Sequence, residues 1–236
     1  MRASGYELRR WSTPEELRRL TYSAYWNDEE AERDKEWWTQ DGDFARMEAY
    51  VDETTTLGRQ LADALADAPP RGEGADLAAG TLWAVPRLLA AGADKVYAVE
   101  YSEHRLTRLG PGVLEHYGIP PERVVLCLGS FYELGFADGE LGFVLLSQAL
   151  HHADDTAALL REVRRVLAPD GVAYVIGEPL PVRRGLLRRS RLVDPLLGDH
   201  LHTWRSYGRM FRSAGMRVAA TREYRDGVAF VSREGR

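Results

Sequence analysis

Three observations predict an α/β fold: a mostly parallel sheet of seven strands, helices on both faces and a helical cap at the N-terminus. From about residue 72, short apolar runs alternate with segments of helical periodicity, the order typical of right-handed βαβ crossovers. The last two apolar runs lie close together, which predicts a terminal antiparallel hairpin. Residues 1–68 instead have helical spacing.

Composition bounds the class of protein. The chain has 236 residues, 44% hydrophobic and 28% charged, which fits one globular domain with a modest extension and excludes a disordered or collagen-like chain. We find no apolar run long enough for a transmembrane helix and no apolar core of a signal peptide. The single cysteine, Cys127, excludes an intrachain disulfide. We therefore expect a cytoplasmic monomer or homodimer without a metal site.

Charge argues against a nucleic-acid partner. The net charge is −5 and the pI is about 5.7, whereas a nucleic-acid-binding domain usually carries a basic surface. Of the 31 basic residues, all but Lys35 and Lys95 are arginine. This bias indicates a GC-rich bacterial genome.

The N-terminal region is predicted to form a helical cap or lid over residues 1–68, ahead of a domain over residues 69–236. Ser12-Thr13-Pro14-Glu15-Glu16 is typical of a helix start, with a hydroxyl cap, a proline and acids near the positive helix end. Helical apolar spacing follows over Leu17–Trp26 and again over Asp43–Ala68.

The larger domain alternates strands and helices. The predicted strands are Ala75–Ala78, Lys95–Val99, Val124–Leu128, Gly142–Ser147, Val172–Gly177, Arg217–Arg222 and Val228–Ser232. The predicted helices are Leu82–Ala91, His104–His116, Thr156–Leu167 and Trp204–Ala214. A lid-like insertion at about 179–203 follows the fifth strand, so it should lie above the carboxyl edge of the sheet, where ligands bind.

Two features of the first strand–helix unit point to a ligand. The turn Asp76-Leu77-Ala78-Ala79-Gly80-Thr81-Leu82 has small residues that let the backbone approach a ligand at a helix N-terminus. Glu100 ends the second strand, about 20 residues later, where a carboxylate can accept hydrogen bonds from ribose hydroxyls. An ordinary tight turn and a solvated acid are the alternatives.

Three further motifs complete a resemblance. Gly129-Ser130-Phe131 follows the third strand, Ser147-Gln148-Ala149-Leu150-His151-His152 follows the fourth, and the helix from Leu160 leads to Pro169-Asp170-Gly171. Together with the first turn and Glu100, this set resembles class I S-adenosylmethionine-dependent methyltransferases, specifically the small-molecule type 11 group, over about residues 72–178. The sequence departs from that pattern at Ala78 and Leu82, where glycines are usual, at Ser130, where aspartate is usual, and at Asp170.

The resemblance implies S-adenosyl-L-methionine as cofactor, a Rossmann-like sheet and a small-molecule substrate. Ala78 and Gly80 would line the methionine part near Asp76, and Glu100 would hold the ribose diol. Tyr101, Ser130 and Phe131 would contact adenine. Gln148 and Ala149 would contact the carboxypropyl chain.

Several residues are candidates for catalysis or substrate contact. A general base helps when the methyl acceptor carries a proton, and the candidates are His152, His151 and Glu178, then His200 and His202 on the lid-like segment. Tyr22, Tyr25 and Trp26 could close over the sulfonium, since an aromatic face favours positive charge; packing of the cap is the alternative. The arginine cluster at 183–191 is a solvated face or an anion-binding surface.

The leading hypothesis is a small-molecule methyltransferase of bacterial specialised metabolism. The first alternative keeps the fold and cofactor but not the methyl transfer, as in cyclisation of the cofactor to azetidine-2-carboxylate and methylthioadenosine, or a lyase or pericyclase. A non-catalytic cofactor-binding protein is the second. A nicotinamide-dependent oxidoreductase is disfavoured because G-x-G-x-x-G does not follow the first strand.

Overall fold

We analysed a computed structural model that describes residues 2–3, 5–13, 15–17, 44–180 and 200–235. Within that part, the strands are β1 Arg2–Ala3, β2 Tyr6–Arg10, β3 Glu73–Leu77, β4 Lys95–Glu100, β5 Val124–Leu128, β6 Leu141–Ser147, β7 Leu167–Glu178, β8 Met216–Glu223 and β9 Val228–Glu234. The helices are α1 Phe44–Ala49, α2 Leu57–Asp67, α3 Val85–Ala90, α4 Gly110–His116, α5 Thr156–Val166 and α6 Trp204–Ser213. One π-helical turn, Tyr50–Thr54, extends α1, and another, Arg105–Leu109, precedes α4. Two short 3-10 turns are Pro121–Arg123 and Leu150–His152.

All nine strands belong to one sheet, in the order β1-β2-β5-β4-β3-β6-β7-β9-β8. Strands β2 to β7 pair in parallel, whereas β1 is antiparallel to β2, and β8 and β9 form an antiparallel hairpin whose strand β9 pairs with β7. The chain proceeds outward in opposite directions from β3, so a topological switch point lies between β3 and β6. The mostly parallel α/β fold and the terminal hairpin are confirmed, while the predicted number of seven strands is too low, since β1 and β2 also join the sheet.

Two element bounds differ from the sequence prediction for local reasons. Helix α3 begins at Val85 rather than at Leu82, because Leu82 has a left-handed backbone with φ 66°. Strand β7 begins at Leu167 rather than at Val172, because Leu167 pairs with Leu141 ahead of an irregularity in the register.

The prediction of helices throughout residues 1–68 is wrong at the N-terminus. Strand β2 pairs in parallel with β5 and extends the sheet on that side. Tyr6 and Leu8 alternate with polar residues and are buried, which is the period of a half-buried strand. The division at residue 68 stays a prediction.

The predicted helix start near Thr13 is confirmed. The Thr13 hydroxyl accepts from Glu16 N at 3.2 Å, and the Glu16 carboxylate accepts from Thr13 N at 2.7 Å, which is a capping box. Residues 15–17 are helical. Tyr22, Tyr25 and Trp26 lie outside the described residues.

An apolar cluster covers each face of the sheet. One cluster packs α2, α3 and α4 against side chains such as Val96 and Ala98. The other packs α5 and α6 against side chains such as Ala75 and Leu77. Among the helices of the described ranges, none is long and apolar enough to cross a membrane. The two packed faces hold the carboxyl ends of the central strands at one edge.

Candidate active site

The turn after β3 has a backbone that glycine usually supplies. Ala78, Gly80 and Leu82 all have positive φ, at 57°, 55° and 66°, although a side chain makes this conformation unfavourable by roughly 1–2 kcal/mol. The three positions are those at which the resembled family has glycine. The turn therefore keeps a glycine-type backbone with two side chains added.

Leu82 is accommodated by a second glycine. Its side chain is wholly buried and fills the space beside Gly110 at the start of α4, where an added Cβ would lie 2.5 Å from Leu82 Cδ1. Burying a leucine side chain stabilises a protein by about 1.5–3 kcal/mol. This burial offsets the strained backbone at Leu82.

Glu100 ties this turn to the end of β4. Its carboxylate accepts hydrogen bonds from Gly80 N at 2.8 Å, Tyr101 N at 2.9 Å and Ser102 N at 3.0 Å. A carboxylate has about four lone-pair sites, so the predicted ribose-binding residue has one site beyond these three donors. Glu100 and Gly80, two of the predicted cofactor contacts, thus lie together, while Tyr101 is half-buried and packs against the core.

Asp76 is a buried acid in the last but one position of the central strand β3. It is 2% exposed, and its Oδ1 has no hydrogen-bond partner among the described residues. Burial, together with the charge of Glu100, raises the pKa of Asp76 to about 8. Thr81 Oγ1, in the same turn, is also buried and likewise has no partner in the described part of the chain. Two buried polar oxygens thus face this turn without a hydrogen bond.

The turn after β5 is supported by the two residues that follow strand β2. Ser130 N donates to Ser12 Oγ at 3.1 Å, and Trp11 Nε1 donates to Ser130 O at 3.4 Å. Trp11 also fills the space over Gly129, where an added Cβ would lie 1.9 Å from Trp11 Nε1. Phe131 is half-buried beside this turn. Sequence reasoning missed the contacts of Trp11 and Ser12 with this turn; the alternation of Tyr6 and Leu8 was the signal for strand β2, which ends just before them.

The turn after β6 also contains a left-handed residue. Gln148 is exposed, has φ 51°, and donates its N–H to Ile176 O at 2.8 Å. The side chain of Ala149 is buried in the core, and its N–H donates to Glu178 Oε1 at 3.2 Å. Of this predicted pair, Gln148 is the residue that presents a side chain at the surface.

Glu178 is the centre of a buried polar network at the end of β7. Its carboxylate accepts from Ala149 N and Leu150 N at 3.2 and 3.0 Å, from His151 Nδ1 at 3.1 Å and from the Tyr207 hydroxyl at 3.2 Å. Burial alone would raise the pKa of Glu178, but His151 and the Leu150 N–H hold that pKa below its ordinary value. The carboxylate is ionised, enclosed and saturated with donors.

This network fixes the orientation of His151. A carboxylate can only accept a hydrogen bond, so His151 Nδ1 is the nitrogen that donates to Glu178. The ring centroids of His151 and His152 are 4.1 Å apart. The predicted histidine pair and Glu178 therefore lie together at one sheet edge.

His200 and His202 join the same cluster. His200 N donates to His151 O at 2.7 Å, and its Nε2 lies 2.9 Å from Asp154 Oδ1. His202 packs edge-on against the Tyr207 ring, and burial together with His200 lowers the pKa of His202. The predicted insertion is described only at its ends, and the arginine cluster at 183–191 lies outside the described residues. Tyr207 carried no signal in the sequence.

Comparisons with known proteins cover the strands that form this edge of the sheet. Residues 75–175 match a family described as a methyltransferase domain. Demethylmenaquinone methyltransferase of Bacillus mycoides (strain KBAB4) is 24% identical over 209 residues, or 79% of this chain and 84% of the relative. Geranyl diphosphate methyltransferase in complex with SAM has a TM-score of 0.66 at 16% identity, covering 83% of this chain and 91% of its own. The 4+2 cyclase SpnF has a TM-score of 0.63 at 14% identity, covering 76% and 81%.

Proposed function

We propose that this chain, whose residues 75–175 match a methyltransferase domain, uses S-adenosyl-L-methionine to methylate a hydroxyl oxygen of a small molecule, with His151 as the general base. The contact between His151 and Glu178 carries the proposal. A hydroxyl must lose a proton as it is methylated, and a neutral imidazole held by a carboxylate can accept that proton. The Nε2 atom of His151 takes it in this scheme.

The residues of the first turn fit the cofactor. A Cβ built on Gly80 would meet nothing within 4 Å, so space is open beside the turn, and Asp76 Oδ1 is buried without a partner in the described ranges. Asp76 and Gly80 would hold the methionine end, Glu100 the ribose, and Ser130 with Phe131 the adenine. When bound, the cofactor supplies a methyl group on a positively charged sulfur.

The chain contributes alignment as well as a base. The sheet holds the turns after β3, β4 and β6 at fixed positions, and holding reactants in line can supply about 7–11 kcal/mol of a barrier. Glu178 does not reach the acceptor in this scheme, because its carboxylate is enclosed and has four donors. It is a positioning residue that keeps the hydrogen on His151 Nδ1. His152 is the second candidate for the base.

The acceptor belongs to bacterial specialised metabolism in this proposal. Identity of 24% to a demethylmenaquinone methyltransferase leaves room for a different acceptor, and Ala78 and Leu82 alter the first turn. The arginine bias of the sequence favours a bacterial source.

Product analysis tests the proposal. The purified protein is incubated with S-adenosylmethionine, alone and with a panel of phenols, catechols and quinols, and the products are measured by mass spectrometry. We expect a methylated acceptor and S-adenosylhomocysteine in equal amounts. Methylthioadenosine formed from the cofactor alone would contradict methyl transfer and favour cyclisation, and cofactor binding without any turnover would favour a non-catalytic protein.

The variant H151Q tests the base. We expect kcat to fall by about 10²- to 10⁴-fold, with the dissociation constant of S-adenosylhomocysteine within a few-fold of the wild-type value. The matched control is H116Q, at the end of α4 and exposed, which should keep full activity. Retained kcat in H151Q together with a loss in H152Q would assign the base to His152.

A further inference from the structure

Strand β7 contains a β-bulge at Gly177, directly before Glu178. Val175 lies opposite Phe230 on β9. Glu178 lies opposite Val228, one residue out of register with the first pair. Two residues of β7 therefore face one residue of β9 between these pairs, which is the arrangement of a bulge. Gly177 has a left-handed backbone with φ 71°, a conformation that glycine adopts readily.

The bulge decides which face of the sheet Glu178 reaches. The side chains of a strand alternate between the two faces. Tyr174 and Ile176 belong to the apolar cluster that packs against α2, α3 and α4, and strict alternation would send the side chain of Glu178 to that face as well. Its hydrogen-bond partner Tyr207 instead belongs to the cluster that contains α5 and α6. The extra residue at Gly177 thus turns Glu178 to the face that carries Tyr207.

The N–H group of the bulge is held by a buried side chain of helix α2. Gly177 N donates to Gln60 Oε1 at 2.8 Å, across 117 positions of the chain. Gln60 is wholly buried, although glutamine is mostly exposed in folded proteins. A buried N–H group that loses its acceptor destabilises the fold. Gln60 therefore stabilises the bulge at Gly177.

The orientation of the Gln60 amide follows from its other partners. The Thr56 hydroxyl donates to Asp226 Oδ1 in the turn between β8 and β9, because a carboxylate can only accept. That hydroxyl has one hydrogen, so it accepts from Gln60 Nε2 at 2.9 Å. The amide oxygen of Gln60 is then the atom that faces Gly177 N. The three side chains thus form a directional series of hydrogen bonds that ends at the bulge.

We propose that Gln60 is a positioning residue for His151, on which it acts through the bulge and Glu178. The inference rests on the proposed function, in which Glu178 orients His151 as the general base. Gln60 holds the N–H group of Gly177, and the bulge turns the Glu178 carboxylate to the α5 and α6 face. There the carboxylate accepts from His151 Nδ1 at 3.1 Å. A helix on the opposite face of the sheet thereby sets the geometry of the base.

The variant Q60M tests this inference by nuclear magnetic resonance and needs no methyl acceptor. Methionine keeps the length of the side chain but removes the oxygen that accepts from Gly177 N. Two observables are followed in isotope-labelled protein: the exchange rate of the Gly177 amide hydrogen relative to core amides of β4, and the Nδ1–H resonance of His151, which is assigned by its absence from H151Q. We expect the exchange to become about tenfold faster or more and the resonance to shift or disappear.

The matched control is L61V, on the same helix. Leu61 is wholly buried in the apolar cluster on this face of the sheet, so the shorter side chain lowers stability without removing the hydrogen bond to the bulge. Both observables should match the wild type in L61V. Equal changes in Q60M and L61V would mean that any weakening of α2 disturbs the site, and would overturn the specific role of Gln60.

The outcomes separate this inference from the proposed function. An unchanged Nδ1–H resonance of His151 in Q60M would overturn the role of Gln60, whatever the product analysis shows. A changed resonance, together with methylthioadenosine as the product of the wild type, would overturn the proposed function and support the link from Gln60 to His151. If Q60M does not fold, T56V decides, because it removes the hydroxyl that orients the amide. A resonance at the wild-type position in T56V would overturn the inference.

Discussion

Asp76 lies near the carboxyl end of β3, and Glu178 ends β7 on the opposite side of the switch point. Both side chains are buried, at 2% and 0% exposure. Glu178 accepts four hydrogen bonds and has a lowered pKa. Asp76 Oδ1 accepts none from the described residues, and the pKa of Asp76 is raised to about 8. Burial by itself acts to raise the pKa of both carboxyl groups. The hydrogen-bond partners and neighbouring charges therefore decide which of the two carboxyl groups is ionised. The described residues supply donors to both oxygens of Glu178, whereas they supply none to Asp76 Oδ1.

The variant E178Q would break this comparison with the largest effect. The glutamine side chain has an NH₂ group in place of one carboxylate oxygen. That group would face either the N–H donors of Ala149 and Leu150 or the donor at His151 Nδ1, so a buried donor would lose its acceptor. Leaving a buried donor without its acceptor costs about 1–3 kcal/mol, and more where a charged group takes part. We expect a loss of about 3 kcal/mol in the free energy of unfolding in urea at pH 7.

The pH dependence of that loss has a fixed sign. Because the folded pKa of Glu178 is lowered, its stabilisation is present above the unfolded carboxyl pKa and is lost as pH falls through the folded value. The difference between wild type and E178Q should therefore shrink on acidification. E122Q, at an exposed site, is the control, and a difference that stays constant down to pH 3 would contradict the charged form of Glu178.

Leu82 tests the side of the switch point that holds Asp76. There the strained backbone of Leu82 lowers stability, and the burial of its side chain raises it. L82A removes a wholly buried side chain and keeps a Cβ in the left-handed region, so we expect a loss of about 2–5 kcal/mol. L82G removes the same side chain and the strain, so it should be more stable than L82A by about 1 kcal/mol. Urea denaturation of both variants measures the difference. Equal stabilities would show that the backbone at Leu82 is not strained.

Much of the scaffold could be predicted from the sequence, because hydrophobic periodicity and the turn residues that end each element are local features of the chain. Val124–Leu128 is both the predicted strand and β5, since it is a continuous apolar run between turns. The N-terminal strand was missed because its five residues, Tyr6–Arg10, contain two apolar side chains and two arginines. Its partner strand lies more than 110 residues away. Nothing local signals such a pairing.

The candidate site was predictable in position but not in charge. Spacing placed Glu100 and the histidine pair at strand ends, and the structure brings them to one edge. The states of Asp76 and Glu178 depend on what surrounds each carboxyl. Tyr207, which donates to Glu178, is 29 residues away on α6. A pattern of residue types does not specify that contact.

The variant D76N would sharpen the comparison through stability alone. The folded pKa of Asp76 is raised, so its carboxyl binds a proton more tightly folded than unfolded. Stability is then lost as pH rises from the unfolded value of about 4 towards the folded value of about 8. The free energy of unfolding of wild type, relative to D76N, should fall by up to about 1.4 kcal/mol per pH unit between pH 5 and 7. The opposite slope would mean that Asp76 is ionised in the free protein.

The smallest effect is expected at Ala78, where a glycine would restore the usual residue of the turn. At φ 57°, the backbone of Ala78 disfavours a side chain by roughly 1–2 kcal/mol. Glycine removes this strain but loses about 0.5–1 kcal/mol of stability, because it gives up more conformational entropy on folding. A78G should therefore raise the free energy of unfolding by up to about 1 kcal/mol.

The matched control for A78G is A158G, because Ala158 lies in α5, where glycine should lower stability by about 1 kcal/mol. A gain in the free energy of unfolding in A78G and a loss in A158G would show that the turn holds Ala78 in a backbone conformation that alanine disfavours. The affinity for S-adenosylhomocysteine should stay within about twofold in A78G, since the backbone shape, rather than the methyl group of Ala78, makes the space beside Gly80. A loss of stability in A78G equal to that in A158G would contradict strain at this turn.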